Sequence, residues 1–159
     1  MPVLQLPVER RTVRLSGFDG SEADAIVALQ AASASGTGAE TLLERLNSAT
    51  GLFLPCEIEG QVSLVHLAWI AYLETAREPR EIERLERSGA RRGRVEADLI
   101  SGETVAGELL FQPLPGRERV LDALSTEGEP FFLLLGADRA RYVHRAAVLR
   151  VRGGDTPGR

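Results

Sequence analysis

The chain has 159 residues, and its hydrophobic content of 43% and charged content of 26% are ordinary for a soluble globular protein. The net charge of −4 argues against non-specific nucleic-acid binding, and the absence of lysine excludes Schiff-base chemistry and a phosphate-loop lysine. The single cysteine, Cys56, permits no internal disulfide and is typical of a reducing compartment. With no signal peptide and no apolar run of the ~20 residues that span a bilayer, we expect a cytoplasmic protein without membrane contact.

The first folded element follows an extended arm formed by residues 1–10. Arg11 to Phe18 alternates apolar and polar residues, as a half-buried strand does, and Asp19-Gly20 is a turn signal. Alternation resumes from Ala23 to Leu29, so the pair predicts a β-hairpin. A helix from Ala23 to Ala34 is the alternative.

A short helical turn is predicted next, from Thr41 to Asn47, because Thr41 and Glu44 have capping-box spacing. The apolar strand Phe53-Leu54 follows it. Val62 to Leu73 then forms either a strand pair or one long strand.

The stretch from Glu74 to Arg94 is the most charged part of the chain. Pro79 suits the start of a helix, and we predict a short linker helix from Pro79 to Arg87 whose charges face solvent. Beyond it the earlier order of elements returns. The predicted strands and helical turn there are Val95 to Ile100, Val105 to Phe111, Arg119 to Leu124 (helical), Phe131 to Leu135 and Tyr142 to Val151.

This second series repeats the first at a constant distance of 78 positions, without a gap. The identical pairs are Leu43/Leu121, Leu46/Leu124, Phe53/Phe131, Val65/Val143, His66/His144 and Ala68/Ala146. Upstream, a distance of 82 positions aligns Val13 with Val95 and Gly20 with Gly102. We therefore predict a mainly β protein of two tandem small barrel-like (SH3/PilZ-like) repeats, each with a short helical turn. The predicted parts are a first repeat at 11–73, the charged linker helix within 74–94, a second repeat at 95–151 and a disordered tail at 152–159.

Few residues point to chemistry. His66 and His144 occupy equivalent positions, and a histidine-centred metal protein or enzyme is one hypothesis, although neither has the further ligands that zinc needs nearby in sequence. The alternative is that each histidine satisfies a backbone group in a strand. No nucleophile elbow, phosphate loop or dinucleotide fingerprint is present, so we predict no cofactor and no catalytic residue.

An arginine cluster precedes the strand at Val95: Arg87, Arg91, Arg92 and Arg94. The spacing of Arg87 and Arg91 ahead of a strand resembles the arginine motif of PilZ domains, small β-barrels that bind cyclic di-GMP. The resemblance implies that these four arginines clamp phosphates and guanine edges, as a planar guanidinium fork can. The second PilZ motif, Asp/Asn-x-Ser-x-x-Gly, is absent. A charged linker in a lysine-free protein is the competing interpretation.

A broader resemblance covers both series. Leu43-Glu-Arg-Leu-Asn-Ser48 with Phe53-Leu-Pro55 and His66, and Leu121-Asp-Ala-Leu-Ser125 with Phe131 to Leu133 and His144, resemble a small bacterial domain family of unknown function. The resemblance implies the fold but no reaction or substrate.

Three functions follow as hypotheses. The first is a non-enzymatic interaction or regulatory module, an adaptor or scaffold, whose strand edges or loops bind another protein or a second copy of itself. The second is a cyclic di-GMP receptor that uses the arginine cluster. The third is the histidine-centred metal protein or enzyme.

Overall fold

The structure is a computed structural model that describes residues 8–31, 38–48, 51–116, 118–125 and 128–153. Within these residues ten strands form one antiparallel sheet and three helices lie against it. The strands are β1 (Val8–Gly17), β2 (Glu22–Gln30), β3 (Phe53–Ile58), β4 (Gln61–His66), β5 (Ile70–Ala76), β6 (Arg91–Leu99), β7 (Thr104–Phe111), β8 (Phe131–Leu135), β9 (Arg139–His144) and β10 (Val148–Gly153). The helices are α1 (Leu42–Leu46), α2 (Pro79–Arg87) and α3 (Val120–Ser125).

The opening hairpin is confirmed. β1 and β2 pair antiparallel from Val8 with Gln30 to Ser16 with Glu22, so the helix considered for Ala23 to Ala34 is wrong for the strand residues. The alternation has the expected consequence, since Val13, Leu15 and Val27 are buried.

The helical turns also form close to their predicted positions. Thr41 is the N-cap of α1, where its hydroxyl accepts a hydrogen bond from the backbone N–H of Glu44 at 3.1 Å. The segment Val62 to Leu73 contains two strands, because a 3-10 turn at Leu67–Trp69 separates β4 from β5. A second 3-10 turn, Arg145–Ala147, separates β9 from β10 in the same way.

The sheet joins the two halves of the chain. Its strand order is β10-β6-β7-β8-β9-β5-β1-β2-β3-β4, and the two halves meet where β5 pairs with β9. In the part of the chain that the structure describes, the ladder is not closed, because β10 and β4 each have one neighbouring strand. The expected barrel-like repeats are therefore not two separate closed barrels; the pairing of β5 with β9 makes them one body.

Helix α2 differs from the predicted solvated linker. It has the predicted bounds, but Glu81 and Ile82 are buried. The Glu81 carboxylate accepts a hydrogen bond from the Tyr142 hydroxyl and another, at 3.2 Å, from the backbone N–H of Leu43. The helix thus links α1 to β9 through Glu81, a charged residue that is buried in the core.

The segment between the halves is also shorter than the predicted 74–94, since β5 continues to Ala76 and β6 begins at Arg91. Of the predicted tail, 152–159, the residues Arg152 and Gly153 end β10 and the others lie outside the described residues. Among the described residues, no helix has the length and apolar character needed to cross a membrane.

Burial of Glu81 generates a pH-dependent stability. Burial raises the pKa of Glu81 above its ordinary value of 4.5, against the opposing effect of its hydrogen bonds. Folded protein then retains a proton that unfolded protein loses, so the contribution of Glu81 to stability falls as pH rises above 4.5. We expect Glu81→Gln to become more stable relative to wild type at pH 7.5 than at pH 4.5, measured by urea unfolding. An equal difference at both pH values would contradict this.

Candidate functional site

Each of the two histidines forms a hydrogen bond with a backbone group. Nδ1 of His144 lies 3.1 Å from the Ile70 carbonyl oxygen. Since a carbonyl only accepts, this nitrogen carries the proton. The His144 ring also stacks on Phe131 at 4.6 Å and meets the edge of Phe18 at 5.7 Å. His66 uses the same nitrogen differently: its Nδ1 accepts a hydrogen bond from Ala68 N–H at 3.1 Å and caps the 3-10 turn.

The structure does not bring the two histidines together in the sheet, where β5, β1, β2 and β3 lie between β9 and β4. Among the described residues, no cluster of three or more histidine, cysteine or acidic side chains could hold a metal ion. Cys56 is buried, and burial raises the pKa of its thiol, which disfavours the nucleophilic thiolate.

The four arginines of the predicted cluster lie along the end of α2 and the start of β6. Three have acidic neighbours: Arg87 with Glu83 at 3.6 Å, Arg91 with Glu118 at 4.0 Å, and Arg92 with Glu86 at 3.1 Å and Glu108 at 3.8 Å. Arg94 is exposed and pairs with Glu108 in the β6–β7 ladder. Because strand side chains alternate, Arg92 and Arg94 share a face of β6 and Arg91 is on the other. Three of the four arginines therefore have carboxylate neighbours, and the three on β6 are divided between its two faces.

The exposed apolar side chains concentrate on the hairpin of β3 and β4. Phe53, Pro55, Val62 and Leu64 lie on one side of it, which we call the outer face of β3–β4. Val62 is 86% exposed and Leu64 is 64% exposed. Large apolar side chains are seldom grouped in this way on a monomer surface unless the surface binds something.

The corresponding face of the second half is covered. Hairpins β3–β4 and β8–β9 have the same register, displaced by 78 positions. The matching cross-strand pairs are Phe53–His66 and Phe131–His144, Pro55–Leu64 and Leu133–Tyr142, and Glu57–Val62 and Leu135–Ala140. The outer face of β8–β9, formed by Phe131, Leu133, Leu135, Ala140 and Tyr142, is buried in a core shared with the first half. The same side of the same hairpin is thus buried in one half and exposed in the other.

The opposite end of the sheet is also exposed. Leu149 on β10 is 74% exposed, and Ile100, which follows β6, is 56% exposed. Arg150 and Arg152 on β10 make ion pairs with Asp98 at 2.9 Å and 2.5 Å. These guanidinium groups hold the pKa of the Asp98 carboxyl well below its usual range.

Sequence reasoning did not single out Val62 or Leu64. They lie in a predicted strand, where apolar residues are expected to be buried. Their partners at the distance of 78 positions, Ala140 and Tyr142, gave no sign that one pair would be covered and the other exposed. Only the neighbours of each hairpin in the sheet make that distinction.

Comparisons of the chain with protein-family models, with curated proteins and with solved structures gave no significant match. The resemblances to PilZ domains and to a bacterial family of unknown function therefore stay predictions.

The environment of His144 generates a second pH-dependent stability. Burial lowers the pKa of His144 below its ordinary value of 6.5, although the bond to Ile70 opposes the shift. Unfolded protein then takes up a proton more readily than folded protein, so this contribution to stability is lost as pH falls below 6.5. We expect the unfolding free energy of His144→Gln, relative to that of wild type, to be higher at pH 5.5 than at pH 7.5, because the variant lacks this contribution. Phe18→Leu, which removes a ring contact but keeps the imidazole, should preserve the wild-type slope; an unchanged slope in His144→Gln would refute the assignment.

Proposed function

We propose that the chain is a non-enzymatic protein-interaction module, an adaptor or scaffold, that binds its partner through the outer face of β3–β4. One observation carries the proposal: Val62 and Leu64 are exposed at positions whose counterparts, Ala140 and Tyr142, are buried. In the second half, the outer face of β8–β9 is covered by residues of the first half. The corresponding face in the first half, where Phe53, Pro55, Val62 and Leu64 surround Glu57, is suited to the same kind of cover.

The backbone of β4 supports the same mode of binding. β4 has β3 on one side, and among the described residues no strand pairs with its other side. Its sequence, Gln-Val-Ser-Leu-Val-His, has none of the charged or proline residues that commonly protect a sheet edge. An added strand would gain main-chain hydrogen bonds from this edge and apolar contacts from Val62 and Leu64.

The proposal includes a duplicated origin of the two halves as tandem barrel-like units, and a cytoplasmic location. The duplication is supported by the repeated order of strand, strand, helix, strand, strand, 3-10 turn and strand. The shared register of the two hairpins supports it as well. The location is supported by the single cysteine, since it is typical of a reducing compartment.

Site-specific photo-crosslinking tests the interaction function. A photoreactive phenylalanine analogue in place of Leu64 should form adducts with protein in native lysate, because the position lies within the proposed interface. Val62→Asp should remove these adducts, since a charge on the same face opposes apolar burial. The control is the same analogue at Glu83, a residue on the solvent side of α2 whose side chain is 64% exposed. Absence of any adduct specific to position 64 would refute the proposed function.

A second candidate is the cyclic di-GMP receptor of PilZ-like type. It is favoured by Arg92 and Arg94, which share a face of β6 and place two guanidinium groups on one side of a strand. The carboxylates of Glu86 and Glu108 beside Arg92 compete with a phosphate ligand. A dinucleotide must therefore displace ion pairs before it binds.

Calorimetry separates the two candidates. We expect no binding heat with cyclic di-GMP at high micromolar concentration, because Arg87, Arg91 and Arg92 already have carboxylate partners. Binding that is lost in an Arg92→Ala, Arg94→Ala variant would favour the receptor. The matched control is Arg14→Ala, which removes an exposed strand arginine paired with Glu22 outside the cluster.

A further inference from the structure

The contact between the two halves uses strands whose counterparts each have one unpaired edge among the described residues. In five residue pairs, β5 of the first half runs antiparallel to β9 of the second. At the distance of 78 positions, β9 corresponds to β4 and β5 corresponds to β10. In the described part of the chain, β4 and β10 are the two outer strands of the sheet. β4 and β10 therefore correspond to two strands that pair with each other inside the chain, but they lie at opposite ends of the sheet.

We propose that β4 of one chain pairs antiparallel with β10 of a second copy, reproducing between chains the pairing of β9 with β5. The inference rests on the proposed function, since it names the partner of the same surface. A strand and its complement on opposite ends of one chain generate head-to-tail association. Successive chains then form a closed ring if the rotation from one chain to the next closes it, and a filament if it does not.

The internal pairing also supplies the register of the contact. Leu73 pairs with Tyr142 and Glu74 with Arg141 inside the chain. Displaced by 78 positions, the same pairs become Val151 with Leu64 and Arg152 with Ser63. Leu64 would meet an apolar residue, as Tyr142 does.

The side chains of the two edges are compatible. β4 contributes no charge, and Arg150 and Arg152 of β10 are held by Asp98 of their own chain. No like charges would therefore face each other across the new ladder. Leu149, 74% exposed, is at the position of Ala71, which is buried in the internal contact.

In the internal contact, a histidine ring at the end of β9 engages the other half of the chain. His144 donates to the Ile70 carbonyl and meets Phe18, both in the other half. The corresponding positions for His66 are the Val148 carbonyl and Ile100, both at the β10 end of the sheet. Ile100 is 56% exposed, whereas His66 bonds within its own turn. The first-half histidine thus lacks, within the described chain, the neighbouring strand that engages its counterpart.

The mass in solution is the first test. Analytical ultracentrifugation of the full chain from about 1 to 500 µM should show association to twice the 17.2 kDa of one chain or to larger multiples, because association depends on concentration. Leu64→Arg should shift the sample to monomer, since it places a charge opposite Val151 in the apolar part of the contact. Circular dichroism should show that the variant keeps the fold, as Leu64 is exposed.

Disulfide trapping tests the register and does not depend on Leu64→Arg folding. Opposed residues of antiparallel strands have Cα atoms about 4.5–5.5 Å apart, within reach of a disulfide. On a Cys56→Ala background, mixing a Ser63→Cys chain with an Arg152→Cys chain should give a covalent pair on oxidation. The control, Ser63→Cys with Arg150→Cys, is two residues out of register and should give much less.

Three outcomes overturn the proposal: a monomer at every concentration, association that Leu64→Arg leaves unchanged, or preferential trapping of two Ser63→Cys chains, which indicates β4 against β4. A monomeric chain that still forms position-64 adducts with a different protein would overturn self-pairing and leave the interaction function standing. No adducts with any protein, self included, would refute both.

Discussion

Pairing of β5 with β9 is the constraint on which the rest of this molecule depends. It makes one sheet from two series of strands and buries the outer face of β8–β9 in the core of the first half. Tyr142 lies in the middle of that contact, fully buried, with its hydroxyl satisfied by Glu81. A buried phenol and a buried carboxyl are each costly alone and tolerable together. This pair therefore requires α2 to lie over β9.

The position of α2 explains why similar hairpins differ in exposure. α2 follows β5 directly, so the pairing of β5 with β9 places α2 at the outer face of β8–β9. Ile82 and Glu81 then cover that face together with α1. The outer face of β3–β4 has no such neighbour among the described residues, and its apolar side chains are exposed. Exposure here is a property of position in the sheet rather than of the amino acids.

The side chains that were the main candidates for catalysis or ligand binding have structural partners. His66 caps a turn, His144 bonds to a carbonyl, and Arg92 lies between two glutamates. Asn47 bonds to both backbone groups of Phe131, at 3.2 Å and 2.9 Å, and so ties α1 to β8. Its counterpart Ser125, in the other half, has no corresponding bond to a strand among the described residues. Asn47, where the first half differs from the second, is therefore a residue that joins the two halves.

The sequence by itself determined most of the elements and their order along the chain, because alternation, capping and turn residues act over a few positions. The opening hairpin, the cap at Thr41 and the helix beginning at Pro79 were all accessible in this way. Only the tertiary structure decided which strands meet. β5 and β9 are distant in sequence, so no local pattern encodes their pairing. For the same reason Glu81 was predicted to be solvated and Val62 and Leu64 were not singled out, since burial depends on a neighbour that the local sequence does not specify.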